Sequence, residues 1–137
     1  MKLFGREKKV TRTRLVFEST VVEGVLAYSK SFHPQEGILL LKGKISKGEI
    51  IVTGLGIPPL SEHAEDAVSF PMFMLPLDTA FIGIAHSHPS GELRPSVEDL
   101  QNAFGGIMAI AAYPYESLKD LGIFDREGKR VPFEVVS

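Results

Sequence analysis

From Thr20 to Phe32 the chain reads TVVEGVLAYSKSF, with apolar residues at Val21, Val22, Val25, Leu26 and Phe32. Positions three and four apart share one stripe of an α-helix, so the spacing predicts an amphipathic helix with Ser19 or Thr20 as its N-cap. His33-Pro34 ends it, because the residue before a proline is steered away from helical dihedrals. Gly37–Leu41 is a short apolar run closed by Lys42-Gly43, expected as a buried strand. Glu49–Gly54 (EIIVTG) is expected as its hairpin partner across the turn Ser46-Lys47-Gly48. Thr79–Ala85 (TAFIGIA) and Ile107–Ala112 are β-rich apolar runs and predict central strands. Between them, Ser96–Phe104 (SVEDLQNAF) predicts a helix stopped by Gly105-Gly106. Leu121–Phe124 and Arg130–Val136 flank a Gly-containing turn, Asp125–Lys129, and predict a closing hairpin.

The stretches between these elements are punctuated differently. Pro58–Asp66 (PPLSEHAED) is turn-rich and acidic, hence a surface loop. Ala67–Met74 reads as an extended segment interrupted by Pro71, Leu77-Asp78 as a short helix or turn, and Pro89–Arg94 as a Gly/Pro loop. No internal repeat is visible. Strands and helices alternate without a regular βαβ rhythm. The expected class is therefore α/β in the broad, mixed α+β sense: one domain with a curved mixed or antiparallel sheet flanked by helices. Residues 1–14 carry six of the 15 Lys and Arg residues against one acid, Glu7. They are expected as a basic N-terminal segment ahead of a domain over 15–137, and solvated lysines on a frayed or edge segment account for them better than an acidic partner does.

Composition narrows the chemistry. The 137 residues, 44% hydrophobic and 23% charged, fit one ordinary globular core. A net charge of -2 argues against a protein built to coat nucleic acid. With no cysteine there is no disulfide framework, thiol nucleophile or thiolate metal site. A metal site here has to use His, Asp, Glu and water, the donors of catalytic ligand sets. The first residues contain no apolar run long enough for a signal peptide or a membrane span, so a cytoplasmic location without membrane contact is the expectation.

The informative stretch is His86-Ser87-His88-Pro89 followed by Ser96-Val97-Glu98-Asp99. Residues two apart on a strand face the same way, so the two imidazoles can close on one ion. Asp99, in the first turn of the next helix, can reach back as a third ligand. A fourth position is left open for water, the arrangement of a catalytic zinc. Each piece alone has a plain explanation. A lone strand-end histidine usually bonds backbone, and Ser96 with Asp99 forms S-x-x-D, close to a helix capping box. The joint spacing H-x-H-x7-S-x2-D is much harder to obtain by composition. A zinc hydrolase also needs a proton shuttle. The candidates are Glu36, Glu23, Glu62, Glu92 and Glu98, with Glu36 leading because it is tethered to an apolar strand. His63, beside Glu62, Glu65 and Asp66, is better explained by a solvated acidic loop than by a second metal.

The spacing of His86, His88, Ser96 and Asp99 resembles the signature of the JAMM/MPN+ metalloproteases. The segment His33-Pro34-Gln35-Glu36 also resembles the place where that family carries its glutamate. The likeness extends through Leu75-Pro76-Leu77, Tyr113-Pro114-Tyr115 and the terminal hairpin, from about Val21 onward. It implies a JAMM/MPN-like fold with the layering of cytidine deaminases, and one Zn2+ per chain, with a bound water, on His86, His88 and Asp99. It implies Glu36 as general acid/base and Ser96 as donor to the oxyanion. The implied reaction is hydrolysis of isopeptide or peptide bonds after the Gly-Gly tail of ubiquitin-like modifier proteins, as in compact archaeal and bacterial members. The implied partners are those modifiers and their conjugates, with a homodimer left open and no nucleic acid. Two departures stand out: Leu39 replaces a glycine frequent in the family, and the insertions of linkage-selective members are missing. A Gly-Gly tail has no side chains to grip, so an exposed strand edge is expected to receive it. The candidates are Ala67, Val68, Ser69 and Phe70 in the segment Ala67–Phe73, with Ser90 and Gly91 as the opposite wall. The alternatives are a non-catalytic MPN scaffold in a larger complex and a RadC-like metal hydrolase of unknown substrate.

Overall fold

A computed structural model describes residues 13–58 and 81–137. The expected first helix forms as α1, Ser19–Phe32, burying Val21, Val22, Val25 and Ser29 along one stripe. Its entry differs from expectation. Glu18 occupies the N-cap position without a side-chain cap bond, because the chain runs straight in from a strand, β1 (Arg14–Glu18). That strand has no counterpart in the sequence reading. Leu15, Val16 and Phe17 are too short a run to signal a strand alone, yet all three are buried.

The expected hairpin is β2 (Ile38–Ser46) and β3 (Glu49–Gly56), with a register shift at Lys42/Gly43. Three more strands follow at the apolar runs: β4 (Phe81–His88), β5 (Ile107–Ala112) and β6 (Leu121–Phe124). The helix expected over Ser96–Phe104 is shorter. As α2 it spans Val97–Gln101, with Asn102 at its C-cap. Gly105 then turns the chain into β5 with φ +75°, where any Cβ would stand 2.3 Å from the Ile82 carbonyl oxygen. Only glycine fits that approach.

Among the described residues seven strands form one sheet in the order β6-β5-β4-β2-β3-β1-β7, where β7 is Glu134–Val136. β4–β5, β1–β3 and β1–β7 are parallel, and the other pairs are antiparallel. The terminal hairpin expected from Arg130–Val136 is therefore corrected. Arg130 bridges β6 at Phe124 and Val131 N–H donates to the Ile123 carbonyl at 2.8 Å, but Glu134–Val136 pair with β1 at the far edge. From Arg130 to Glu134 the chain can span at most about 14 Å. Across a flat sheet those two positions would lie seven strand spacings apart, about 34 Å. The sheet must curl until its edges approach. Phe133, packed edge-on to Phe17 at 5.4 Å, plugs the closure.

Strand alternation divides the core in two. Leu39, Leu41, Ala85, Ala109 and Ile123 face α1. Ile38, Leu40, Ile84, Met108 and Ile110 face the other way, against Leu93, Leu100 and Ala103 around α2. His86 and His88 share the parity of Ile84, so β4 delivers both rings to the α2 side. No helix among the described residues is long and apolar enough to cross a membrane.

Candidate active site

β4 ends as a buried strand, and its last two side chains on the α2 face are imidazoles in place of aliphatics. His86 is 1% exposed, and neither ring nitrogen has a hydrogen-bond partner among the described residues. An orphaned buried nitrogen costs about 1–3 kcal/mol, so two on one ring call for a partner of another kind. Burial, outweighing the pull of Asp99, lowers the pKa of His86, which keeps the ring neutral as a ligand must be.

His88 is held from both sides. Nδ1 is 2.9 Å from the Glu92 carbonyl oxygen and Nε2 is 2.9 Å from Asp99 Oδ2. Both partners are acceptors, so the ring has to carry two protons unless a cation replaces one of them. Burial works against that protonation. The bond to Asp99, the Glu92 carbonyl and the charges of Asp99 and Glu36 outweigh it and push His88 up. The same competition acts on Asp99: burial raises its pKa, but His88, His86 and the Ser96 N–H hold it at about 2.

α2 places Asp99 through its cap. Asp99 N–H donates to Ser96 Oγ at 3.0 Å and Ser96 N–H donates to Asp99 Oδ2 at 2.9 Å, a complete capping box. The cap uses Ser96 Oγ as an acceptor and leaves its O–H free to donate elsewhere. Asp99 Oδ1 is 3.7 Å from His86 Nδ1.

No group of three His, Asp or Glu side chains stands ready-made as a ligand set among the described residues, since Asp99 is drawn directly onto His88. The donors nevertheless fit one ion. Two donors each about 2.1 Å from a tetrahedral zinc lie about 3.4 Å apart. The separations of 2.9 and 3.7 Å bracket that value. An orphaned neutral imidazole, a second one facing two acceptors and a low-pKa carboxylate make a donor set suited to a divalent cation. His86, His88 and Asp99 would hold it.

Glu36 reaches the same place from the stretch just before β2. Gly37 and Ser87 exchange bonds, Gly37 N–H to Ser87 Oγ at 2.7 Å and Ser87 N–H to the Gly37 carbonyl at 3.1 Å. β2 begins at Ile38, opposite His86, and Glu36 lies two residues before it, where its carboxyl is within electrostatic reach of His88 and Asp99. Glu36 is exposed as a residue. Shielding of its carboxyl raises the pKa first, His88 pulls it back down, and Asp99 and Glu98 push it up again. The other carboxylates are placed less well. Glu23 is exposed on α1, Glu92 is paired with Arg94 at 3.0 Å, and Glu98 is exposed on α2. Glu62 lies outside the described residues.

Ser90 and Gly91 lie at the rim. Gly91 N–H donates to the His88 carbonyl at 3.0 Å, and its φ of +86° opens the turn. The expected substrate edge, Ala67, Val68, Ser69 and Phe70, lies outside the described residues, as do His63 and Leu75-Pro76-Leu77. Sequence reasoning missed Ser87, whose hydroxyl ties β2 to β4 between the two histidines. The signal was available, because a serine whose strand parity points it at the α1 core needs a hydrogen-bond partner.

Residues 18–121 match the family described as prokaryotic homologs of the JAB domain. The chain belongs to that family. It is 30% identical over 129 residues to a Haloferax volcanii protein named a probable metalloprotease, covering 83% of this chain and 80% of that one. A JAB1/MPN domain protein from Archaeoglobus fulgidus superposes with a TM-score of 0.67 at 31% identity, covering 88% of this chain and 98% of its own. A solved JAMM structure, described as a metalloprotease-like zinc site in the proteasome and signalosome, superposes with a TM-score of 0.65 at 31% identity, over 91% of this chain and 100% of that one. The JAB family thus accounts for the curled mixed sheet.

Proposed function

We propose that this JAB-family chain is a zinc metalloprotease acting in the cytoplasm, and that it hydrolyses the isopeptide or peptide bond after the Gly-Gly tail of ubiquitin-like modifier proteins. The observation that carries the reading is the convergence of His86, His88 and Asp99 with Glu36, whose carboxyl lies within reach of the charges of His88 and Asp99. A zinc ion at such a set supplies a more acidic water and a polarised carbonyl. The chain's own residues do the rest. Glu36 takes a proton from the attacking water and returns one to the leaving amine, a two-way role that suits a carboxylate of raised pKa. Asp99, fixed by the capping box, keeps a full negative charge over the working pH range. The Ser90-Gly91 turn presents little bulk, which lets an extended Gly-Gly backbone approach.

The deciding experiment is incubation with a conjugate whose ubiquitin-like part ends in Gly-Gly, with and without a strong zinc chelator. Cleavage after the second glycine, abolished by the chelator and restored by zinc, is the expected result. Intact conjugate with the zinc-loaded protein would return the chain to the scaffold reading.

Ser96 separates two roles in one residue. Removing the cap acceptor in Ser96→Ala costs about 0.5–2 kcal/mol of stability. Donation of its free O–H to the developing oxyanion adds a fall in kcat of about 10²-fold or more, with KM little changed. A lower melting temperature with unaltered kcat would leave Ser96 as a cap only.

A further inference from the structure

Glu36 is placed by its backbone, since its carboxyl receives no hydrogen bond from any described residue. The stretch that carries it, His33 to Gly37, links α1 to β2 and is pinned at both ends. One pin is the Gly37–Ser87 exchange described above. The other is His33. Its Nδ1 is hydrogen bonded to Tyr115 Oη at 3.0 Å. Its ring stacks on Tyr113 with centroids 4.6 Å apart and planes 22° apart, and meets Tyr115 edge-on at 5.6 Å. These tyrosines follow β5, and Tyr113 N–H donates to the His88 carbonyl at 3.1 Å. The contacts therefore close a ring: His88 to Tyr113, Tyr115 to His33, along the chain to Glu36 and Gly37, and back through Ser87 to His88.

Tyr115 shows that this ring is built with some effort. It is 1% exposed and holds φ at 60°, a left-handed conformation that costs a non-glycine residue about 1–3 kcal/mol. Such a conformation persists when its surroundings over-determine it. Here it turns the phenol inward, onto His33 Nδ1. Burial, then Tyr113 and Glu36, push that phenol's pKa up, so its hydroxyl stays protonated.

We infer that His33, acting through Tyr115, is a positioning residue that holds the Glu36 stretch at a fixed distance from His88. The inference rests on Glu36 as the proton shuttle of the proposed protease. Without the His33 pin, the described hydrogen bonds left on the stretch are backbone bonds at the helix end, His33 N–H to the Ser29 carbonyl and Gln35 N–H to the Phe32 carbonyl, and the Gly37–Ser87 exchange, so Glu36 is anchored from the β2 side alone.

The test uses the full chain loaded with zinc, the Gly-Gly-tailed conjugate as substrate, and the variants Tyr115→Phe, His33→Ala and His33→Asn. Tyr115→Phe keeps the ring and removes only the hydroxyl. It is expected to retain zinc, to exchange the Gln35 and Gly37 amides faster, and to lose about 10- to 100-fold in kcat with KM little changed. His33→Ala should do the same. His33→Asn, which keeps a polar atom near the Nδ1 position, should recover much of the loss. A folded Tyr115→Phe with unchanged kcat overturns the inference, whether or not exchange quickens. A fall in kcat without faster exchange overturns it as well, since the hydroxyl would then act by another route. If the unaltered protein leaves the conjugate intact, the protease reading fails separately. The exchange arm then decides alone: faster exchange at Gln35 and Gly37 upholds the clamp, and unchanged exchange ends it.

Discussion

Glu36→Gln should lower kcat by about 10²- to 10⁴-fold while zinc content and fold stay as they are. The change is isosteric, the residue is exposed, and no hydrogen bond among the described residues depends on its carboxylate, so loss of packing does not account for lost turnover. Its raised pKa sets two signs. In activity, protonated Glu36 cannot accept a proton, so turnover falls as pH drops through a value raised above the ordinary glutamate one. In stability, a carboxyl whose folded pKa exceeds its unfolded value binds its proton more tightly when folded. The ionised form is then slightly unfavourable at neutral pH. Glutamine removes that penalty, so the melting temperature of Glu36→Gln should not fall. Single-turnover kinetics and thermal melts on zinc-loaded protein check both. A near-native kcat would move the shuttle to another carboxylate, and Glu98, whose charge reaches Glu36, would be tested next.

The site was more legible than parts of the fold, and the reasons are physical. His86, His88 and Asp99 are short-range features. Strand parity fixes the two rings on one face, and the S-x-x-D cap fixes Asp99 in the first turn, so one loop of local sequence describes the cluster. Glu36 lies 50 residues before His86, and nothing local says that their strands are neighbours. The antiparallel register of β2 on β4 makes them so. β1 and β7 were missed or misplaced for the same reason. Each is a brief stretch stabilised by its partner, β1 between β3 and β7. A hairpin was the natural reading of Asp125–Lys129, and the first bridge does form at Phe124–Arg130. The long-range closure of the sheet, with Phe133 against Phe17, then takes the chain elsewhere. The Ser87–Gly37 and His33–Tyr115 bonds were equally out of reach, since both join segments at least 50 residues apart.

His88→Ala should reduce bound zinc from about one per chain to almost none after dialysis, because two protein ligands hold the ion far less well than three. His88 is the better choice of the two histidines. His86 sits fully inside the core beneath it, so its removal would open a cavity and confuse metal loss with unfolding. At His88 the damage is contained. Asp99 keeps the Ser96 N–H bond and the neighbouring His86, so its carboxylate is not left buried and alone. Two measurements separate ligand loss from collapse. Elemental analysis gives the zinc per chain. A thermal melt with and without added zinc gives the stabilisation that binding confers, which for the unaltered chain is about 2.7 kcal/mol when free zinc is a hundredfold above its dissociation constant. In His88→Ala that increment should vanish while a cooperative melt remains. Acid should mimic the substitution, since protons compete with zinc for His88 Nε2, and the group's raised pKa means that this competition begins above the ordinary histidine value. A variant that still carries about one zinc per chain, with its melt still raised by the metal, would remove His88 from the ligand set and leave its bond to Asp99 as a purely structural contact.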